Sequence, residues 1–407
     1  MTAPFSDDPT LAPSRPVVRM RPKSNARAIR HGFPWVYANE LVTDRRTKAL
    51  VPGAFAVLED EARVPLGLVS VNGASKIIAR MIDTDPNAVI DQAWFEARIA
   101  RAFGLREKIY DTPFYRLIHA EADGLPGVVV DRFGDVCVIQ PNAAYADVHI
   151  EMIRDALASV TGVSCILKNA SGRTRGLEGL DDVSMTLLGE TPSAPVPVLM
   201  NGATYMADLT GGQKTGLFFD QRPNHAFAAM ASKGARVLDV FSHVGGFSLA
   251  ALAAGATSAV AVDGSAPALE LAKAGAAASG FGDAFSTRQG DAFDTLAALR
   301  EEGATFDVVI CDPPAFAPSR QALDAGLRAY ERIARLAAQL VADNGILGLC
   351  SCSHAADLSQ FRAACVRGIG RGGRQGAIIH TGFAGPDHPM LPQLAESGYL
   401  KSVFFRL

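Results

Sequence analysis

An α/β fold preceded by a small β domain is what this sequence predicts, on three observations. From about Ala235 onward, short apolar runs of buried parallel-strand type alternate with alanine-rich helical stretches, the pattern of a doubly wound sheet. Between about 17 and 85, short strands are separated by glycine and polar turns, as in a small barrel or sandwich. The stretch between them mixes helix, hairpin and strand too irregularly for either class and reads as a connecting α+β domain. With 407 residues, more than one core is expected. The predicted division is a flexible tail over 1–16, then domains over 17–90, 91–195 and 196–407.

In chain order, Val17–Arg21, Ala54–Glu59, Leu66–Val71 and Lys76–Ile82 are the strands of the first domain. Asp91 to Tyr110 carries apolar residues at helical spacing (Trp94, Ile99, Phe103, Leu105, Ile109) and opens the second. Gly127–Asp131 and Asp135–Gln140 form a hairpin around Arg132-Phe133-Gly134. A helix near Ala144–Val160 follows, then strands near Cys165–Lys168 and Val183–Leu188. Asn201-Gly202 is the two-residue turn of a hairpin over Val198–Tyr205. In the last domain, Arg236–Phe241, Ser258–Asp263, Phe306–Cys311 and Gly345–Ser353 are strands. Phe247–Ala254, Pro267–Ser279, Ala322–Val341 and Asp357–Gly368 are helices, and Tyr399–Leu407 is expected at the end of the sheet.

Composition excludes several classes. The chain is 48% hydrophobic and 20% charged, so it can build real cores and is not mostly disordered. No apolar run reaches a membrane span; the longest candidate, near Leu249–Val262, is broken by Gly255, Thr257 and Ser258. The N-terminus lacks the apolar core of a secretory signal. Six cysteines without a CxxC pair argue against a disulfide framework and a zinc ribbon, so no metal is expected and a reducing cytoplasm is the default. The net charge of −3 says nothing about a polyanionic partner, but its distribution does. Between Pro9 and Asn39 there is no acidic residue and a local charge of +6, including Arg21 and Arg30. A solvated basic face is one reading. A phosphate-contacting surface is the other, since His31, Phe33, Trp35 and Tyr37 lie beside the run and are either core or part of an RNA-holding face.

The chemistry is concentrated near the ends of the predicted parallel strands. In Val237 to Ser248, strand, turn and helix start follow one another, and Gly245-Gly246 lets backbone approach a ligand at the helix N-terminus. Asp239 is placed to receive an amino group. Asp263, 24 residues later, ends the next strand where an acid holds ribose hydroxyls. Gly290-Asp291-Ala292-Phe293 ends a further strand, third in order between Ser258–Asp263 and Phe306–Cys311, and is a place for a contact to adenine. With no GxGxxG turn, the set suits S-adenosylmethionine better than a dinucleotide. Asp312-Pro313-Pro314-Ala315-Phe316 makes a stiff loop beyond the fourth strand, facing a target base. Cys352 ends the fifth strand toward the same cleft as Asp312. A thiolate there can add to C6 of a cytosine and make C5 nucleophilic, while Asp312 binds the N3/N4 edge. Cys311 and Cys350 read as buried small apolar residues.

At these residues the sequence resembles the large-subunit (23S) ribosomal RNA cytosine-5 methyltransferase I family. His31-Gly32-Phe33-Pro34-Trp35-Val36 is similar to its PUA-domain signature. Glu121 to Gly127 with Val130 to Asp135 is similar to its central domain. Gln213-Lys214-Thr215-Gly216, then Asp220-Gln221-Arg222, resembles the segment before the cofactor strand. Pro386-Asp387-His388-Pro389 with Tyr399-Leu400-Lys401 resembles its C-terminal signature.

The resemblance implies an RNA-binding PUA domain over 17–90, a central α+β domain, and a class I, Rossmann-like methyltransferase domain over 196–407. It implies S-adenosylmethionine held by Lys214, Asp220, Gln221, Arg222, Asp239, Ser242, Gly245, Gly246, Asp263, Asp291 and Asp312. It makes Cys352 the nucleophile of a Ser-Cys-Ser motif and ribosomal RNA the substrate, with Arg21, Arg30, His31, Trp35 and Phe316 as substrate contacts. Family members are commonly dimers, so a homodimer is carried over as an expectation. Ala315 stands where many other RNA cytosine-5 methyltransferases place a second cysteine, so a different base takes the C5 proton or the reaction is not at C5. Two other readings stay open: methylation of an exocyclic amine by an Asp-Pro-Pro-x-Phe loop, and an RNA-binding assembly factor without turnover.

Overall fold

The computed structural model describes residues 15–211 and 216–407, apart from the side chain of Arg173; residues 1–14 of the tail expected over 1–16, and Lys214, lie outside that range. The chain forms two compact units. One runs to Lys108 and includes Leu117–Glu190 and Leu391–Leu394; the other takes Ile109–Arg116, Thr191–Met390 and Ala395–Leu407.

The first unit holds two sheets. Strands β1 (Val17–Arg19), β2 (Trp35–Val36), β3 (Ala54–Glu59), β4 (Pro65–Val71) and β5 (Ala79–Asp83) assemble in the order β1-β3-β4-β5-β2. Only the β1–β3 pairing in this sheet is parallel. Val18, Met20, Val36, Leu41, Ala56, Leu58, Val69 and Val71 close its core. The run expected to Arg21 ends as a strand at Arg19, and Met20 instead makes an isolated bridge to Leu41. The fourth expected strand begins at Ala79 rather than Lys76 because Asn72 and Ser75 spend their side chains on turns, each accepting an N–H two residues on.

The second sheet contains β6 (Phe114–His119, of which Leu117, Ile118 and His119 belong to this unit), β7 (Val128–Phe133), β8 (Val136–Pro141), β9 (Cys165–Lys168) and β10 (Met185–Leu188), in the order β10-β9-β8-β7-β6. The predicted long helix after β8 is two helices, Ala144–Val148 and Ile150–Thr161, interrupted at His149. The two sheets of this unit are joined by a buried polar network. Arg80 bridges Glu121 at 3.1 Å and Glu178 at 2.8 Å, and Asn72 and Ser75 also bond Glu178.

In the second unit, β11 (Val196–Met200) and β12 (Ala203–Ala207) form the hairpin, with Asn201 and Gly202 both at positive φ as its two-residue turn requires. The main sheet comprises β13 (Arg236–Val240), β14 (Ser258–Asp263), β15 (Phe285–Gln289), β16 (Phe306–Cys311), β17 (Val341–Ser351), β18 (Ala377–Gly382) and β19 (Lys401–Arg406). Its order is β15-β14-β13-β16-β17-β19-β18, with β19 antiparallel to both neighbours. The chain therefore leaves β13 in both directions, and the crevice at that switch point is where such sheets bind ligands. The final strand does not lie at the edge as expected: β18, whose Ala377, Ile378 and Ile379 are exposed, takes the edge outside it. Among the described residues no helix is long and apolar enough to cross a membrane.

Candidate active site

The carboxyl ends of β14, β13, β16 and β17 stand side by side, so Asp263, Asp239, Asp312 and Cys352 follow one another along one edge of the sheet. Neighbouring strands lie about 4.8 Å apart. The turn after β13 carries unusual backbone. Phe241 (φ 63°), His243 (φ 49°) and Gly245 (φ 82°) are all left-handed within five residues. For an aromatic residue that conformation costs about 1–3 kcal/mol and persists where surrounding structure enforces it, typically at a ligand cradle. Gly246 opens the helix Gly246–Ala253, and a Cβ there would lie 2.7 Å from the His225 ring. His225 packs edge-on against Phe247 at 4.4 Å, and burial lowers its pKa to about 3, so it stays neutral.

Asp239 is wholly buried. Its Oδ2 accepts the N–H of Ser248 at 2.9 Å and the Ser248 hydroxyl at 2.8 Å, fixing the first turn of the helix. Its Oδ1 has no partner among the described residues, and burial raises its pKa to about 6. The hydroxyl of Ser242 and Oδ1 of Asp220 are likewise buried and unpartnered among the described residues. A buried polar atom left unpaired costs about 1–3 kcal/mol, so this set of acceptors and a hydroxyl fits a ligand with ammonium and hydroxyl groups. Those are the groups at the amino-acid and ribose ends of S-adenosylmethionine. Asp263 accepts His243 N–H at 2.9 Å and Ser265 N–H at 2.8 Å, which hold its carboxylate at the strand end. Asp291 caps the helix Ala292–Glu301 by accepting from Phe293 and Asp294 N–H.

The Asp220-Gln221-Arg222 segment enters as a 3-10 turn running into the helix Arg222–Met230. Tyr399 donates to Asp220 Oδ2 at 2.6 Å, and Gln221 accepts from Asn224 at 2.6 Å. Arg222 is turned to the Phe114 carbonyl and stacks 4.2 Å over the Tyr110 ring. Its Nε is buried and has no hydrogen-bond partner among the described residues. Gly385 N–H donates to the Asp220 carbonyl, and Asp387, fully buried, accepts Arg116 N–H at 3.0 Å.

Beyond β17, Ser351 and Ser353 flank Cys352, and both are fully buried. The Ser351 hydroxyl donates to Tyr330 OH at 2.8 Å, and Ser353 Oγ lies 2.7 Å from the same hydroxyl. Ser353 also accepts the N–H of Ala317, which ties the Pro-Pro loop to the motif. The six cysteines form no disulfide; five are buried and Cys352 alone is partly exposed. The strand stops at Ser351, short of the expected Ser353, so Cys352 lies just past its end. Burial holds the Cys350 thiol in its protonated form, and Ser402 donates to its sulfur. The Cys352 thiol lies 4.0 Å from the Pro313 carbonyl, against the Asp312 loop. Phe316 is half-buried among Phe241, Phe293 and Tyr330, at ring distances of 6.3, 6.1 and 5.0 Å.

No local sequence signal marks Lys401 as a site residue. Its ammonium donates to the carbonyls of Ser353 at 2.7 Å and Ala356 at 2.5 Å, immediately after Cys352. Burial lowers its pKa, and the neighbouring Cys352 and Asp357 work in the opposite direction. The buried ammonium therefore holds the backbone directly after Cys352 and interacts electrostatically with that residue.

Arg21, Arg30, His31 and Trp35 lie in the other unit. Arg21 is exposed and donates to the Leu41 carbonyl, Arg30 pairs with Asp60, and His31 is exposed at the end of the helix Ala26–Arg30. Trp35 is half-buried and donates to Glu121 at 2.8 Å, with the Arg80 guanidinium 5.7 Å over its ring.

Residues 150–366 match the S-adenosylmethionine-dependent methyltransferase family, and residues 18–84 match the PUA-like domain. Ribosomal RNA large subunit methyltransferase I of Shewanella denitrificans is 33% identical over 394 residues, 96% of this chain and 99% of that one. The ribosomal RNA large subunit methyltransferase of Deinococcus radiodurans is 32% identical over 420 residues and covers both chains fully. A solved structure described as a SAM-dependent methyltransferase from Streptococcus mutans superposes with a TM-score of 0.80 at 21% identity, over 96% of this chain and all of that one. A methyltransferase solved as a complex with SAH gives the same TM-score and identity, over 96% of this chain and 99% of its own. At 21% identity these two show the fold.

Proposed function

The chain belongs to the S-adenosylmethionine-dependent methyltransferases, in the family of the ribosomal RNA large subunit methyltransferase I proteins, and we propose from that premise that it forms 5-methylcytosine in large-subunit ribosomal RNA through Cys352. The observation that carries the choice of cytosine C5 is the setting of Cys352. It is the one partly exposed cysteine, held between two serines locked to Tyr330, with its thiol against the Asp312 loop and Lys401 behind it.

Asp239, Ser242, Asp220 and Asp263 are the residues to hold the cofactor, with the left-handed turn at 241–245 as its cradle. When bound, S-adenosylmethionine supplies the electrophilic methyl group that C5 of the base accepts. The Cys352 thiolate adds to C6, which moves electron density to C5 and on to the ring carbonyl and N3 edge. Asp312, one strand away, is the acid for that edge: its carboxyl proton is shared with N3 as electron density arrives there, and its other oxygen accepts from the N4 amino group. After methylation a base removes the C5 proton, the C5–C6 double bond re-forms, and the thiolate leaves. Ala315 cannot be that base. Phe316 is already packed on Phe241, Phe293 and Tyr330, which counts against an amine reaction that stacks the target on this ring.

The adduct can be trapped. RNA carrying 5-fluorocytidine lacks the C5 proton whose loss releases the thiolate, so it should remain covalently bound to the wild-type enzyme in the presence of the cofactor. The bonded peptide should contain Cys352, and Cys352→Ala should give no complex while still binding S-adenosylhomocysteine. A complex through another residue, or undiminished methyl transfer by Cys352→Ala, would remove the covalent mechanism.

A further inference from the structure

The helix Leu323–Ala338 has two jobs written on its two faces. Inward, Tyr330 holds the serines on either side of Cys352. Outward, Arg328, Arg332 and Arg335 are exposed at spacings of four and three residues, so they form one ridge about 10 Å long. The following helix, Leu358–Arg371, adds exposed Arg367 and Arg371. The carboxylate in their midst, Glu331, is buried and already paired: its oxygens accept Arg367 at 3.0 Å and also Arg371. Arg328, Arg332, Arg335, Arg371 and Glu331 line an open cleft of about 240 Å³. Five arginines against one carboxylate leave a local charge of +4 on a chain whose net charge is −3.

An ordinary solvated helix face alternates signs, because like charges four residues apart weaken the helix. Here Arg328 and Arg332 are such a pair, as are Arg367 and Arg371, and among the described residues no ion pair relieves the first three. The ridge is also joined to the site. The Arg332 guanidinium sits 4.5 Å over the Phe293 ring, Phe293 packs on Phe316 of the Pro-Pro loop, and Gly326 is pressed against Ala317 of that loop.

We propose that this arginine ridge binds the phosphate backbone of the substrate RNA, flanking the target base, as an anchoring surface separate from the basic run at 15–30; this rests on the RNA reading above. Guanidiniums in a row suit it because each gives a forked pair of N–H donors to phosphate oxygens. Phosphate binding of this kind fixes position without reading sequence.

The full-length protein and the Arg328→Gln/Arg332→Gln/Arg335→Gln variant would be titrated with fluorescently labelled, protein-free large-subunit ribosomal RNA over a salt series. S-adenosylhomocysteine binding is measured on both. Removing one arginine–phosphate pair lowers the slope of log K against log salt by roughly 0.7–0.9. The variant is therefore expected to show a slope smaller by roughly 2–3 and to raise the KM for RNA at least tenfold. Its affinity for S-adenosylhomocysteine should be unchanged, and the triple Arg→Lys variant should recover most of the slope. An unchanged slope in a variant that binds S-adenosylhomocysteine normally would overturn the proposal. So would a defect confined to anionic phospholipid vesicles with RNA binding intact. Failure of the parent reading shows elsewhere: wild-type protein would then transfer no methyl group to any ribosomal RNA.

Discussion

Asp239 shows how a single buried group sets conditions for the whole site. Desolvation raises its pKa to about 6, against the pull of the two bonds from Ser248. The folded protein therefore holds this proton more tightly than the unfolded chain, and stability without ligand falls as pH rises from the ordinary carboxylate range to about 6. A cationic ligand reverses that sign, since an ammonium group beside Oδ1 needs the carboxylate. We predict that S-adenosylhomocysteine binds roughly tenfold more weakly at pH 5 than at pH 7. Asp239→Asn should bind weakly at both and lose most of the dependence. Calorimetric titrations at several pH values check this, and a flat wild-type profile would place the ammonium elsewhere. Asp239, Asp263 and Asp312 are legible in the sequence because each follows a short apolar run, and strand ends in such sheets face the ligand. Lys401 and Tyr399 stand out there only as part of a resembling motif. Their partners, Ser353 and Asp220, are 48 and 179 residues away, and no local pattern encodes such a contact.

At the scale of elements, the Ser-Cys-Ser turn owes its shape to a helix. Tyr330 projects from Leu323–Ala338 into the space beyond β17, and its hydroxyl joins Ser351 and Ser353, while Ser353 also secures Ala317. Tyr330→Phe leaves two buried serine hydroxyls short of a partner, at about 1–3 kcal/mol. Its expected signature is a lower unfolding midpoint for this unit together with a reduced kcat and an unchanged KM for S-adenosylmethionine. A variant with wild-type stability and kcat would mean that the turn is held by other bonds. The helix and the strands around it are readable from periodicity, and the Asn201-Gly202 hairpin from its turn residues alone. β18 is not, because a half-exposed edge strand built on Ala377-Ile378-Ile379-His380 lacks both a continuous apolar run and clean alternation. The break at His149 is hidden for a related reason. Both flanking segments are helical, and the interruption is set by tertiary packing, with His149 stacked on Phe55 at 5.2 Å.

For the molecule as a whole, charge and chemistry are divided between the units. The first carries the exposed basic residues at 21–31 and locks its two sheets through Arg80, Glu121 and Glu178. Trp35, core or RNA-facing by its sequence, is tied into that lock by its bond to Glu121. The second unit carries the residues proposed to hold the cofactor, Cys352 and the arginine ridge. The net charge of −3 conceals both basic surfaces. Only the first is visible as a run, since the ridge is assembled from two helices whose arginines are spaced by the helical turn.

Attack of Cys352 on a cytosine of ribosomal RNA is tested most directly with ribosomal RNA from cells lacking this gene. That RNA is incubated with the protein and methyl-labelled S-adenosylmethionine, then digested to nucleosides. The labelled product is identified by mass spectrometry, with Cys352→Ala run in parallel. The expected result is label in 5-methylcytidine with wild type and none with the variant. Label in an N-methylated nucleoside, equal in both, would contradict the covalent mechanism and make Cys352 a packing residue.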